Sequence, residues 1–210
     1  MSNRIKFLKN VIIWVIFSSV LFSSSFIAAE TRILFLGDSI TAGLGVEKAQ
    51  AYPHLVGESL ESMGYKDIKI INAGISGSTS ASALSRLKWH TRRKPDILIL
   101  ALGANDGLRG LSTEEMKSNL DETIQYALGQ GIKVILAGME MPPNYGPQYT
   151  KDFRNVFQYL ADKYEISFMP FLLKDVGGID SFNQPDGIHP NYEGQKIIAR
   201  NILTYILENL

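Results

Sequence analysis

The 210-residue chain contains no cysteine. That absence excludes disulfide cross-links, thiolate metal sites, a cysteine nucleophile and a lipid-modified cysteine anchor, and it leaves the redox compartment open. Histidine is almost as scarce: His54, His90 and His189 are the only three, so any imidazole base is one of them. Charge is sparse as well, at 20% of residues and a formal net charge of zero. Arg4, Lys6 and Lys9 are the only charges before Glu30, so taking those three from 21 basic and 21 acidic side chains leaves −3 for the rest. A mildly acidic body without a Lys/Arg stripe argues against nucleic acid as a partner. Phosphate-cradling loops are missing too. Gly43-Leu44-Gly45 is not followed by the third glycine of a dinucleotide fingerprint, and no Gly-x-x-x-x-Gly-Lys run occurs.

What is plentiful is apolar sequence, 45% of the chain, enough to bury the core of a single domain. Residues 1–29 have the layout of an export signal: a basic start, an apolar run over 11–22, then small residues at Ser23-Ser24-Ser25 and Ala28-Ala29. Cleavage after Ala29 is expected, with an uncleaved membrane anchor through 11–29 as the competing reading. The folded domain is therefore expected over 30–210.

Within it, strand and helix patterns alternate. Arg32-Ile33-Leu34-Phe35-Leu36 reads as a buried strand ending in Gly37-Asp38-Ser39-Ile40. Helical spacing of apolar residues follows over about 51–63, closed by Gly64. Ile68-Lys69-Ile70-Ile71-Asn72 is a second strand, leading into a glycine- and serine-rich turn and a helix over about 80–91. The near-continuous apolar run at 96–103 marks a central strand covered on both faces. Ser112 and Glu115 have capping-box spacing at the start of the next helix, which ends near Leu128. A fourth strand at 132–137 precedes a proline-rich loop over 139–149, a helix over about 150–164, a weak fifth strand at 166–169 and a last helix over about 192–208. Such alternation predicts an α/β fold with a five-stranded parallel sheet between two helical layers, joined by right-handed crossovers. Ser39, Gly77 and Asn105 then fall at strand ends on one edge of the sheet.

Ester hydrolysis by a serine needs a nucleophile, a base, an anion that orients the base, and donors for the oxyanion. Ser39 is the candidate nucleophile, its own backbone N–H lying at a helix start. His54 and His90 sit inside helical patterns, whereas His189 lies in a loop three residues after Asp186. One tight turn of that Asp-x-x-His spacing places a carboxylate against Nδ1 and leaves Nε2 free to face a serine; taken alone, it also reads as a turn capping the last helix. Gly77 offers a closely approaching N–H, and Asn105 a carboxamide donor. The coincidence of all four groups on one edge favours the catalytic reading.

Gly37-Asp38-Ser39-Ile40, Asn72-Ala73-Gly74-Ile75-Ser76-Gly77, Gly103-Ala104-Asn105-Asp106 and Asp186-Gly187-Ile188-His189-Pro190 resemble, in order, the four blocks of the SGNH (GDSL) hydrolase family. Asn105-Asp106-Gly107-Leu108-Arg109-Gly110 and Pro143-Asn144-Tyr145-Gly146 are similar to the arylesterase, acyl-CoA thioesterase and lysophospholipase group within it. The resemblance implies a flavodoxin-like three-layer α/β/α sandwich. It also implies a triad of Ser39, Asp186 and His189, with Gly77 and Asn105 as oxyanion donors beside the Ser39 N–H. Ile40 stands for the leucine of the GDSL name and Ala104 for a frequent glycine, and neither change removes a functional group. No Gly-x-Ser-x-Gly elbow occurs, which removes the main support for an α/β-hydrolase.

The resulting expectation is an exported esterase acting on acyl esters, thioesters or lysophospholipids through an acyl-enzyme. Neither metal nor cofactor, and no nucleic-acid or stable protein partner, is expected. Leu108, Met141, Pro142, Pro143 and Tyr145 are candidate acyl-chain contacts, which would bring the site against lipid substrates. The alternatives are a carbohydrate O-acetylesterase on the same fold and a catalytically inactive ligand-binding module.

Overall fold

The computed structural model describes residues 30–210; the expected signal segment over 1–29, with its cleavage point, lies outside the described residues. Five parallel strands, β1 (Thr31–Gly37), β2 (Ile68–Asn72), β3 (Ile97–Ala101), β4 (Lys133–Ala137) and β5 (Ser167–Met169), form one sheet in the order β2-β1-β3-β4-β5. The register sets Phe35 of β1 against Asn72 of β2 on one side and Ile99 of β3 on the other. β3 is buried at every position, as its unbroken apolar sequence requires of a strand with helices on both faces.

The helices are α1 (Ser39–Ala42), α2 (Tyr52–Ser62), α3 (Ala83–His90), α4 (Ala104–Leu108), α5 (Thr113–Gly129), α6 (Pro147–Tyr164) and α7 (Tyr192–Leu207). α2 packs with α7 in one layer, and α3, α5 and α6 pack side by side in the other. α6 shows why these segments are helices. Phe153, Val156, Phe157, Leu160 and Ala161 recur at three and four and form its buried stripe, with Phe153 and Phe157 meeting edge to face at 5.4 Å between ring centroids.

One boundary and two local details differ from expectation. α6 begins at Pro147 rather than near residue 150, because proline is well suited to a first helical turn whose N–H has no partner anyway. The proline-rich stretch before it is not wholly irregular, since Pro143–Tyr145 forms a 3-10 turn. Ser112 caps α5 by accepting the Glu115 N–H at 3.3 Å, which is one half of the anticipated box.

The chain steps from β1 outward to β2, then crosses back over β1 to β3, so β1 and β3 flank the point where the winding reverses. At such a switch the connections leave the two strands in opposite directions and a crevice opens at their carboxyl ends.

Candidate active site

Ser39 reaches that crevice because the chain turns sharply at the end of β1. A Cβ on Gly37 would lie 1.9 Å from Thr41 Oγ1, so only glycine permits the turn. Asp38 caps α1 by accepting the Ile40 N–H at 3.0 Å. Its side chain is 3% exposed. Burial raises its carboxyl to about 6, partly offset by the Ile40 N–H and the charges of His189 and Arg86. Ser39 follows as the first residue of α1, itself largely buried.

His189 comes from the far end of the chain and stands with Nε2 2.9 Å from Ser39 Oγ. Its Nδ1 is 2.7 Å from Asp186 Oδ2, while Asp186 Oδ1 accepts the N–H groups of Ile188 and His189 at 2.9 and 3.0 Å. The His189 N–H, the imidazole and the Ile188 N–H together hold the Asp186 carboxyl down at about 2. Asp186 is therefore ionised throughout the neutral range, and it favours the tautomer with hydrogen on Nδ1.

Several contacts lock this loop to the turn that carries Ser39. Gln184 Nε2 donates to Leu44 O at 2.7 Å and to Pro190 O at 3.1 Å. Gln195 on α7, 1% exposed, accepts the Tyr52 N–H at 2.8 Å through Oε1 and donates through Nε2 to Ile40 O at 3.4 Å. The elements bearing His189 and Ser39 are thus tied by the part-exposed Gln184 and the buried Gln195.

Asn105 lies in the short helix α4 rather than in a plain turn. Its Nδ2 donates to Ser78 O at 3.1 Å, which occupies one of two amide hydrogens. Gly77 has φ +76°, a left-handed conformation that glycine adopts without strain. Asp106 ties this loop to α4 by accepting from Ser80 N at 2.8 Å and Ser80 Oγ at 2.6 Å. Among the described residues, neither the Ser39 nor the Gly77 backbone N–H has an acceptor within the protein. Ser39, His189, Asp186 and the Gly77/Asn105 loop pair, read separately from the sequence, are thus brought to one sheet edge. The other two imidazoles lie elsewhere, His54 3.5 Å from Glu58 on α2 and His90 edge-on to Trp89.

The sequence and fold have counterparts in known proteins. Residues 35–197 match the GDSL-like Lipase/Acylhydrolase family. The chain belongs to that family. Esterase TesA of Pseudomonas aeruginosa is 40% identical over 83% of this chain and 87% of its own. Thioesterase 1/protease 1/lysophospholipase L1 of Escherichia coli K12 is 32% identical over 82% of this chain and 81% of its own. The structure of a psychrotrophic esterase, EstA, from Pseudoalteromonas sp., described as inhibited by monoethylphosphonate, superposes with a TM-score of 0.80. It is 32% identical and covers 85% of this chain and 97% of that one.

In this GDSL-like acylhydrolase an apolar cleft of about 350 Å³ opens beside the site. Ile40, Ala104 and Ile188, neighbours in sequence of Ser39, Asn105 and His189, line it together with Leu108, Met141, Pro142 and Pro143. Tyr145 is not among the lining residues. Its hydroxyl donates to Leu108 O at 2.9 Å and its ring stacks on Tyr149, so it braces the cleft wall from outside. Among the described residues no cluster of three or more His, Asp or Glu side chains is placed to hold a metal ion.

Sequence reasoning passed over two participants. Arg86 of α3 donates through Nη2 to Gly37 O at 2.9 Å and also to Ala73 O, stitching the ends of β1 and β2 beneath Ser39. Gln195 stands three residues before Ile198 and seven before Ile202, on the buried stripe of α7, so the polar residue among apolar ones at helical spacing was the signal that could have found it.

Proposed function

We propose that the protein is a serine ester hydrolase in which Ser39, His189 and Asp186 act as a triad. The observation that carries this reading is the unbroken chain from Ser39 Oγ through the imidazole to a carboxylate, at 2.9 and 2.7 Å. His189 Nε2 takes the Ser39 proton as Oγ adds to the acyl carbonyl carbon, and Asp186 stabilises the imidazolium that results. The tetrahedral oxyanion is received by the N–H groups of Ser39 and Gly77 and by the second Asn105 amide hydrogen. Collapse breaks the bond to the leaving alcohol or thiol, which takes the proton from His189 and leaves an acyl-Ser39 ester. Water then enters by the same route, giving up a proton to His189 as its oxygen adds to the acyl carbon; collapse breaks the bond to Ser39 Oγ, which takes that proton back from His189 and releases the carboxylic acid. Every group these steps require is a side chain or backbone N–H of this chain.

The substrate class follows from the cleft and the relatives. Leu108, Met141, Pro142 and Pro143 offer an apolar wall to an acyl chain, and the related proteins are an esterase and a thioesterase/lysophospholipase. We assign carboxylic esters first, with thioesters and lysophospholipids in the same cleft. A carbohydrate O-acetyl ester would leave that wall uncovered. The layout of residues 1–29 supports export to the periplasm or medium; among the described residues no helix is long and apolar enough to cross a membrane.

The deciding experiment is hydrolysis of short- and medium-chain p-nitrophenyl esters by wild type and Ser39→Ala. The variant is expected to lose about 10⁴-fold or more in kcat. Equal rates would eliminate the serine mechanism.

A further inference from the structure

The edge of the sheet opposite the site gathers basic residues that are dispersed in the sequence. Arg32 opens β1, Lys69 lies in β2, and Arg92, Arg93 and Lys94 form the turn into β3; together they line one cavity of about 570 Å³ floored by Ile71. Arg32 is engaged, its guanidinium 2.9 Å from Glu30 and its backbone N–H donating to Asp96 Oδ2 at 2.7 Å. Asp67 stands at the foot of β2, its backbone carbonyl accepting the Thr31 N–H at 2.8 Å, and toward β4 and β5 the same edge carries Glu165 and the chain's C-terminal residues beside Lys133. Among the described residues Lys69, Arg92, Arg93 and Lys94 have no carboxylate partner within 4.0 Å, and all four are exposed.

Two features mark this cluster as more than a solvated turn. Lys94 sits at φ +48°, a left-handed position where glycine or asparagine is the conformational choice and a lysine carries a steric penalty. Beside it, Trp89 is 53% exposed, with the Arg93 guanidinium over its ring at 5.2 Å. A large exposed indole next to unpaired guanidinium and ammonium groups is the side-chain pairing that suits the boundary between lipid headgroups and acyl chains.

We propose that this amino-terminal edge is a docking surface for an anionic lipid bilayer. The cations would face phosphate headgroups while Trp89 enters the interface. Position supports that occupant. Until the expected cleavage after Ala29, the chain preceding Glu30, with its apolar run over 11–22 and its three cations, joins the body at this same edge and so brings that edge to the membrane during export. β1 runs away from it, so Ser39 lies about 20 Å off at the opposite end of the strand. A docked molecule therefore holds its cleft away from the bilayer, open to soluble or extracted substrates. Duplex nucleic acid fits less well, because the remainder of the body is net acidic and the cluster is one compact cavity rather than a groove-following stripe.

Residues 30–210 hold a complete five-stranded sheet, helices on both its faces and one contiguous apolar core, so that body is the one to test, free of the apolar segment. Trp14 lies outside it, leaving Trp89 as its sole tryptophan and an intrinsic probe. Co-sedimentation is measured with phosphatidylcholine vesicles, with vesicles containing phosphatidylglycerol, and with duplex DNA. Binding is expected only to the anionic vesicles, weakening with salt, with a blue shift of Trp89 emission. The triple variant Arg92→Gln, Arg93→Gln, Lys94→Gln should partition about 10²-fold less, at roughly fivefold per cation, while hydrolysing p-nitrophenyl esters at the wild-type rate. Equal binding to both vesicle types, undiminished binding by the triple variant, or binding to DNA with vesicles ignored would each overturn the proposal.

Discussion

Replacing Asp38 by asparagine isolates a cost that the fold carries beside Ser39. The carboxyl is 3% exposed and burial lifts it from 3.8 to about 6, despite the Ile40 N–H it accepts and the nearby charges of His189 and Arg86. A carboxyl raised in the folded state holds its proton more tightly than in the unfolded chain. Below about pH 3.8 both states are protonated and Asp38 contributes no pH dependence. Between about 4 and 6 the folded state binds more protons, so stability falls as pH rises through that window, and above it the full cost is present. Displacing the carboxyl that far corresponds to about 3 kcal/mol.

The asparagine of Asp38→Asn would keep the cap, since its Oδ1 can accept the Ile40 N–H, but it has no proton to lose. Urea unfolding of this variant and of wild type, at a series of pH values from about 4 to about 8, should show the difference growing in favour of the variant by about 3 kcal/mol, then levelling off. At neutral pH this corresponds to a gain of about 6–12 °C in Tm for a domain of this size, less any constant offset from burying the extra amide hydrogens. That offset is the same at every pH, so the slope is diagnostic. A difference that stays flat between about pH 4 and 7 would refute the reasoning, whatever its sign.

Asp186→Asn should retain the two backbone bonds from Ile188 and His189 through its carbonyl oxygen, yet present an amide N–H to His189 Nδ1. The imidazole must then carry its hydrogen on Nε2 and cannot accept the Ser39 proton, so kcat/KM on p-nitrophenyl esters should fall on the order of 10⁴-fold; a loss below about tenfold would mean that another group orients His189. Asn105→Ala removes one oxyanion donor and should lower kcat by about 10²- to 10³-fold. If kcat is retained and only KM rises, Asn105 contacts substrate rather than the developing anion.

The sequence exposed whatever depends on short-range pattern. β1 and β3 were readable because a strand covered on both faces must be apolar throughout, and His189 stood out because the other imidazoles fall within helical patterns. What escaped is polar contact made across the fold. Arg86 reads as an ordinary helix cation until it meets a carbonyl 49 residues away. Gln195 does fall on the apolar stripe of its helix, but its partner, the Ile40 carbonyl 155 residues away, has no trace in the sequence. The basic edge escaped for a related reason, since net charge is a sum and carries no position. Yet one topological rule bears on both ends of the sheet. Parallel strands send all their carboxyl ends to one edge, which is how Ser39, Gly77 and Asn105 meet. They must equally send all their amino ends to the other, so Arg32, Lys69 and the Arg92-Arg93-Lys94 turn were bound to converge once the five strands were recognised as parallel.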